Sequence, residues 1–372
     1  MIENLIIENF KLHKHTELEM RGLTVLTGVN GMGKSSVVQA LLLLRQSFMS
    51  SDLIAGLNLK GDLCSIGSAG ELACQTSDSD VLKLTIKDSD GKNYVWEFLY
   101  PEDINETFLS RKDDNENGVT LSLFTNDFQY IGAFRFGPQK SYGRDTSIVK
   151  TRKQISKEMG QCEYAVNFLF QYQKDDIAIK ELALPNDDGT FSYDLGSQVD
   201  LWMRRISPNV QVKIESQQQD FMLKYKFFRD RNTMTDDVSA MNTGFGITYV
   251  LPILVAMLSS KKNSLIIIEN PEAHIHPTGQ SVLMDLITRA VGHGVQVVLE
   301  THSDHILNGG LVAIHKGEVT PRDVSVYFFE RNEADHVAVP VQLRISDKGH
   351  IKRPPKGFFD QFTKDLHLLM DI

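Results

Sequence analysis

A glycine-rich loop set between an apolar strand and an apolar helix leaves few folds open to a chain. Residues 23–36 read LTVLTGVNGMGKSS: a short strand, the spacing Gly28-x4-Gly33-Lys34-Ser35, and then Ser36 opening a helix whose apolar body covers residues 37–44. This is a P-loop in its strand–loop–helix setting. Gly28, Gly31 and Gly33 let backbone N–H groups, Asn30 among them, curl around phosphate oxygens where side chains would block the approach. The free N–H groups at the helix start, around Ser36, add the positive end of a dipole. Lys34 supplies a point charge for the β- and γ-phosphates of a nucleotide, and Ser35 a hydroxyl for Mg²⁺. The competing reading, a glycine turn in some other α/β fold, leaves Lys34 without a task.

Composition narrows the classes. The 372 residues, 41% hydrophobic and 9% aromatic, suffice for two domains or one large domain with an insertion. No apolar run reaches membrane-spanning length, and residues 250–258 (VLPILVAML) are far too short. The acidic, strand-patterned start, MIENLIIENF, does not read as a signal peptide. Three cysteines, Cys64, Cys74 and Cys162, lack metal-like spacing and fit reduced thiols in a cytoplasmic protein. A net charge of −9 argues against broad coating of DNA.

Residues 2–10 and 18–20 pattern as strands ahead of the P-loop strand. The helix of residues 36–49 is expected to present Gln39, Arg45 and Gln46 as a polar face. Residues 81–87 and 94–100 flank the turn 88–92 (DSDGK), a hairpin signal. Residues 113–116 form an acidic, solvated loop, and strand character returns at 119–124 and 128–136. The stretch 147–207 is polar and reads as mostly helical, a lobe inserted between the two parts of the main domain, 1–146 and 208–345. Further strands are expected at 210–215 and 222–228. From residue 247 the chain alternates helix (247–258, 279–291) with strand (265–269, 295–300, 324–330), the pattern of a parallel sheet covered by helices. Residues 346–372 form a small C-terminal unit.

Three further constellations carry chemistry. Residues 264–272, SLIIIENPE, are a buried parallel strand that delivers Glu269 at its C-terminal edge, where such sheets place ligands. A carboxylate there can hold Mg²⁺ directly or through water, although a strand followed by an ordinary Asn-Pro turn reads the same. The strand ending at Glu300 leads into Thr301 and His302, and a histidine at that edge can donate to a γ-phosphate or to attacking water; a structural histidine is the alternative. Asn242, Thr243, Gly244 and Gly246 make a second glycine-bearing helix start and a second anion site. One chain has no second phosphate for it, whereas a subunit across a two-fold axis does. The histidines 274, 276, 293, 302 and 305 invite a zinc reading, but no third strong ligand accompanies 274 and 276. Basic residues at 140–157 and 352–356 read as a DNA or RNA contact or as a solvated face, and the acidic total favours the latter.

Together these strings, with NTGFG, ENPEAHIHP and ETHSDHIL in that order, resemble the ABC-type ATPase heads of the SMC, RecF and OLD families. More closely, they resemble prokaryotic single-chain ATPases, often of phage-defence systems, whose heads precede a C-terminal domain ending in strings similar to GHIKRPPKGFFDQF, residues 349–362. The resemblance implies an α/β head with a mixed β-sheet and an antiparallel β-subdomain; the inserted helical lobe at 147–207 is the portion it matches least. It implies an ATP- and Mg²⁺-dependent ATPase that closes head to head on two ATPs as a homodimer and controls a separate effector, a nuclease or toxin. It puts Glu269 at the Walker B acid, residues 242–246 at the signature motif, residues 273–276 at the D-loop and His302 at the switch histidine. Gln139 is its candidate for the Q-loop and a Mg²⁺ contact, with Arg135 as a competing structural arginine or phosphate contact.

One departure matters. Such heads carry Asp-Glu at Walker B, the Glu polarising the attacking water; here the pair is Glu269-Asn270, and an amide holds water without accepting its proton. Glu272 is then the expected base, and the alternative is a slow or non-hydrolysing ATP-gated sensor. A transporter subunit is disfavoured by NTGFG in place of LSGGQ. No nuclease motif is evident, so effector chemistry is expected in another chain.

Overall fold

The computed structural model describes residues 1–112, 120–229, 233–332 and 334–370; the acidic loop expected at 113–116 lies outside them. Its centre is a six-stranded sheet in the order Ala338–Gln342, Val324–Arg331, Leu23–Gly28, Gln296–Glu300, Leu265–Glu269, Phe128–Ile131. The last five run parallel and Ala338–Gln342 pairs antiparallel at the edge. Strands buried on both faces need continuous apolar runs, and LIII and VVL supply them. The P-loop strand thus lies beside the strand ending at Glu300, with the Glu269 strand one further out.

A second six-stranded sheet is antiparallel, in the order His13–Glu19, Ile2–Phe10, Val81–Asp88, Asn93–Leu99, Phe108–Arg111, Gly56–Asn58. The helix Lys34–Met49 lies between the two sheets. Leu26, Ile267 and Val298 from one face of the central sheet share a core with Leu41, Leu44, Leu84 and Trp96. That sandwich corrects the expected polar face: Arg45 and Gln46 are buried. Arg45 donates to the carbonyls of Leu123 and Thr125, and Gln46 to that of Asn58, because the turn Ser122–Phe124 and the sheet-edge strand Gly56–Asn58 cover the side of the helix that would otherwise face water.

The opposite face of the central sheet, through Val25, Ile266 and Val297, packs on the helices Phe245–Leu258, Pro277–Gly292 and Asp304–Lys316. Residues 147–207 hold two α-helices, Ala165–Tyr172 and Leu195–Ile206, with a π-turn at Ser147–Thr151, a 3₁₀ turn at Lys180–Leu182 and irregular chain between them. Backbone there turns left-handed at Lys153, Met159, Gly160 and Cys162, which interrupts any longer helix. Of the strand expected at 119–124, residue 119 lies outside the described residues and the rest holds a 3₁₀ turn, Ser122–Phe124; the strand after it stops at Ile131. A hairpin, Val210–Gln217 with Asp220–Phe227, extends to Val238–Ser239 and Tyr142–Gly143. After the edge strand come a short hairpin, Arg344–Ile345 with Ile351–Lys352, and the helix Gln361–Leu369. Among the described residues no helix is long and apolar enough to cross a membrane.

Candidate functional site

The parallel strands converge at their C-terminal ends on a cavity of about 450 Å³. Asn30, Gly31, Lys34 and Ser35 line it from the P-loop; Glu269, Asn270, Glu300 and His302 line it from the neighbouring strand ends. The fold therefore gathers residues scattered over more than half the chain at one sheet edge, the position parallel sheets give to ligands.

The loop is shaped by contacts that glycine alone allows. Gly28 has φ 133°, and a Cβ on it would stand 2.6 Å from the Phe329 carbonyl of the adjacent strand. Gly33 has φ 97°, and its carbonyl accepts from Nε2 of His13 at 3.0 Å. A carbonyl can only accept, so Nε2 carries the proton and Nδ1 accepts from the Thr16 hydroxyl at 2.9 Å. His13 is fully buried, and burial pushes its pKa down to about 4, which keeps it neutral. Sequence reasoning missed this P-loop anchor, which lies twenty residues ahead of Gly33 on another sheet.

Lys34 is 3% exposed and donates to the carbonyls of Gly28 (2.9 Å) and Val29 (2.8 Å). Its pKa is lowered by burial, against the opposing pull of Glu300. Glu269 accepts from the Tyr130 hydroxyl and the Ala133 N–H, each at 3.3 Å, and burial raises its pKa. Glu300, to which the sequence reading gave no role, pairs in register with Glu269 on the next strand and accepts from Ser35 Oγ at 2.8 Å. Burial first, and then the charge of Glu269, push its pKa up to about 7. His302 is held below the ordinary imidazole range by burial and then by Lys34.

Asn270 sits at φ 46° and donates its N–H to the Glu300 carbonyl at 2.9 Å. Asn is one of the few residues that tolerate this left-handed conformation, so the backbone itself gives a reason for an Asn here. Glu272 does not line the cavity. Its two oxygens accept from Thr301 Oγ1 and from the His302 N–H, both at 2.8 Å, so it fastens the segment that carries His302. The base role expected of Glu272 gains nothing from this arrangement.

Gln139 is exposed and stands outside the lining; its N–H donates to Tyr142. The cavity wall after the strand Phe128–Ile131 is formed by Ala133 and Phe134 instead, because the chain turns away before reaching residue 139. Arg135 is 1% exposed, and its guanidinium donates to the carbonyls of Tyr249, Gly132, Glu269 and Asn270 at 2.9–3.2 Å. It is a buried structural arginine that ties two strand ends to the helix Phe245–Leu258.

Asn242, Thr243, Gly244 and Gly246 lead into that helix, none of them lines the cavity, and no side chain caps the helix start. Asn242 and Gly244 are exposed, as is Phe245. His274 packs its ring against Phe245 and Tyr249, while His276 Nδ1 caps the next helix by accepting from Thr278 N–H. Among the described residues no three metal-ligating side chains of His, Cys, Asp or Glu converge. Two of the basic residues at 140–157 face their own chain: Arg144 bonds Ser216, and Lys153 bonds Tyr172. A Mg²⁺ ion fits the donors present, since the Ser35 hydroxyl and the Glu269 carboxylate are hard oxygen ligands lining the same cavity.

Residues 23–308 match the family model AAA_21, described as "AAA domain, putative AbiEii toxin, Type IV TA system". Residues 319–369 match a second, DUF3696, a protein family of unknown function, whose span includes the core strand Val324–Arg331. No curated protein matches the chain. Among solved structures, an SMC head bound to the C-terminal winged-helix domain of ScpA is similar at TM-score 0.50 and 14% identity, over 92% of this chain and 98% of that one. The SMC head domain from Thermotoga maritima gives TM-score 0.48 and 10% identity, over 92% and 99%. At such identity the likeness concerns fold: an α/β head of the SMC type.

Proposed function

The chain belongs to the AAA_21 family of P-loop ATPase domains, and from that premise we propose that it binds and hydrolyses ATP as one half of a head-to-head pair. In this reading the P-loop N–H groups and Lys34 hold the β- and γ-phosphates, and His302 donates to the γ-phosphate or to the attacking water. Ser35 and Glu269 hold Mg²⁺, which when bound neutralises charge on the phosphates. The observation that carries the pairing is the exposed helix start at residues 242–246, outside the chain's own phosphate cavity. Its uncapped N–H groups suit an anion, and a second copy facing it brings a γ-phosphate. Closure on two ATPs then acts on a separate effector, a nuclease or toxin; the family's AbiEii description supports a defence or toxin system over general DNA maintenance.

Gly244 provides the test. A Cβ on it would have no neighbour within 4 Å, and its backbone is ordinary, so Gly244→Arg leaves the monomer intact while filling the face offered to a partner. Wild type should sediment as a dimer with ATPγS and Mg²⁺. Gly244→Arg should stay monomeric, keep nucleotide at its own P-loop, and lose at least tenfold in phosphate release. A dimer that survives the substitution rejects the pairing.

A slower reading is favoured by Asn270, whose amide cannot accept a proton, and by the engaged oxygens of Glu272. There the protein is an ATP-gated sensor, and phosphate release should not exceed that of Lys34→Ala.

A further inference from the structure

Inside the cavity one charged group is only half engaged. Glu300 is 5% exposed; its Oε1 accepts from Ser35 Oγ at 2.8 Å, while its Oε2 is buried without any hydrogen-bond partner. A buried carboxylate oxygen with no donor is costly unless a cation comes to it. The contrast with Glu272 is direct: a carboxylate that serves only to fasten backbone has both oxygens filled, as that one does.

Glu300 lines the same cavity as Glu269 and is its register partner on the adjacent parallel strand. Two acids at neighbouring strand ends repel unless positive charge is brought to them. The Lys34 ammonium interacts with Glu300 through its charge, but directs its hydrogen bonds to the carbonyls of Gly28 and Val29.

The geometry points to Glu300 as a second acidic ligand of the divalent cation, alongside Glu269. The Ser35 hydroxyl joins the two: its proton goes to Glu300 Oε1, which leaves its lone pairs free for the metal. Oxygen donors of this kind suit Mg²⁺. The inference rests on the nucleotide-site reading above and adds a ligand to it.

The test is binding of a fluorescent ATP analogue to the full chain, in EDTA and in Mg²⁺. Glu300→Gln is isosteric and keeps an acceptor for Ser35 while removing the charge. In EDTA it should bind at least as tightly as wild type, because a negative charge beside the phosphates has gone. In Mg²⁺ the enhancement seen with wild type should fall by roughly 10- to 100-fold, and the Mn²⁺ affinity of the nucleotide-loaded protein, read by electron paramagnetic resonance, should fall with it. Glu300→Asp, which keeps the charge but shortens its reach, should lie between the two. Retained enhancement in Glu300→Gln overturns the assignment, and so does an equal loss in EDTA and Mg²⁺, the mark of a structural role. If Glu300→Gln does not fold, unchanged Mg²⁺ enhancement in Glu300→Asp overturns it by the same measure. Wild type that binds no better than Lys34→Ala rejects the nucleotide-site reading itself, a separate failure.

Discussion

His13 ties the stability of the P-loop to pH. Its native pKa of about 4 lies below the ordinary 6.5, so the unfolded chain takes up a proton that the folded one refuses. The contribution is complete above pH 6.5, falls as pH drops toward 4, and is constant below that. Integrated over the window it amounts to about 3 kcal/mol. His13→Gln should lose thermal stability at pH 7.5, and the gap to wild type should close as the melting series is carried down to pH 4. A gap independent of pH would mean that folding leaves the His13 pKa unchanged. The acids illustrate the same scale. Residue type and position point to Glu269 and His302, and the cavity brings both together; Glu300 opens the string ETHSDHIL without being given a role by it, because a glutamate ending an apolar strand is ordinary until the register of its neighbour is known.

Helices and strands are legible wherever periodicity and length agree. The hairpin Val81–Asp88 with Asn93–Leu99 and the helices Phe245–Leu258 and Pro277–Gly292 begin and end within about two residues of their sequence signals. The helix Asp304–Lys316 escapes a reading by pattern, since Gly309 and Gly310 look like a breaker. Their use is tertiary: a Cβ on Gly309 would stand 2.6 Å from Met284 Cβ on the helix Pro277–Gly292, so the missing side chain allows the two helices to approach. Gly309→Ala gains about 1 kcal/mol of helix propensity and forces a clash worth about 1–3 kcal/mol. Chemical denaturation should show net destabilisation, and a more stable variant would mean the contact is loose. Arg135 is the other element-scale device, joining two strand ends and a helix through carbonyls that no local pattern reveals.

For the whole molecule, nucleotide and fold are linked because the cavity exists only where the strands of residues 23–28, 265–269 and 296–300 lie side by side. A ligand that binds only the folded state, at a hundredfold excess over its Kd, adds about 2.7 kcal/mol. ATP with Mg²⁺ should therefore raise the melting temperature of wild type by several degrees and leave that of Lys34→Ala unmoved. An equal rise in both would place the nucleotide elsewhere.

Residue order alone is enough for the phosphate loop, the parallel-sheet class and the acid at residue 269. These are local matters: a glycine spacing, an apolar run, a residue at a strand's end. What lies beside them depends on the folded chain. Folding puts His13 behind Gly33, turns Gln139 away from the cavity and Glu272 toward the His302 segment, and sets Glu300 against Ser35. Those outcomes follow from strand order and register, and in a parallel sheet neighbours far apart in the chain come together through crossovers whose partners no local pattern names.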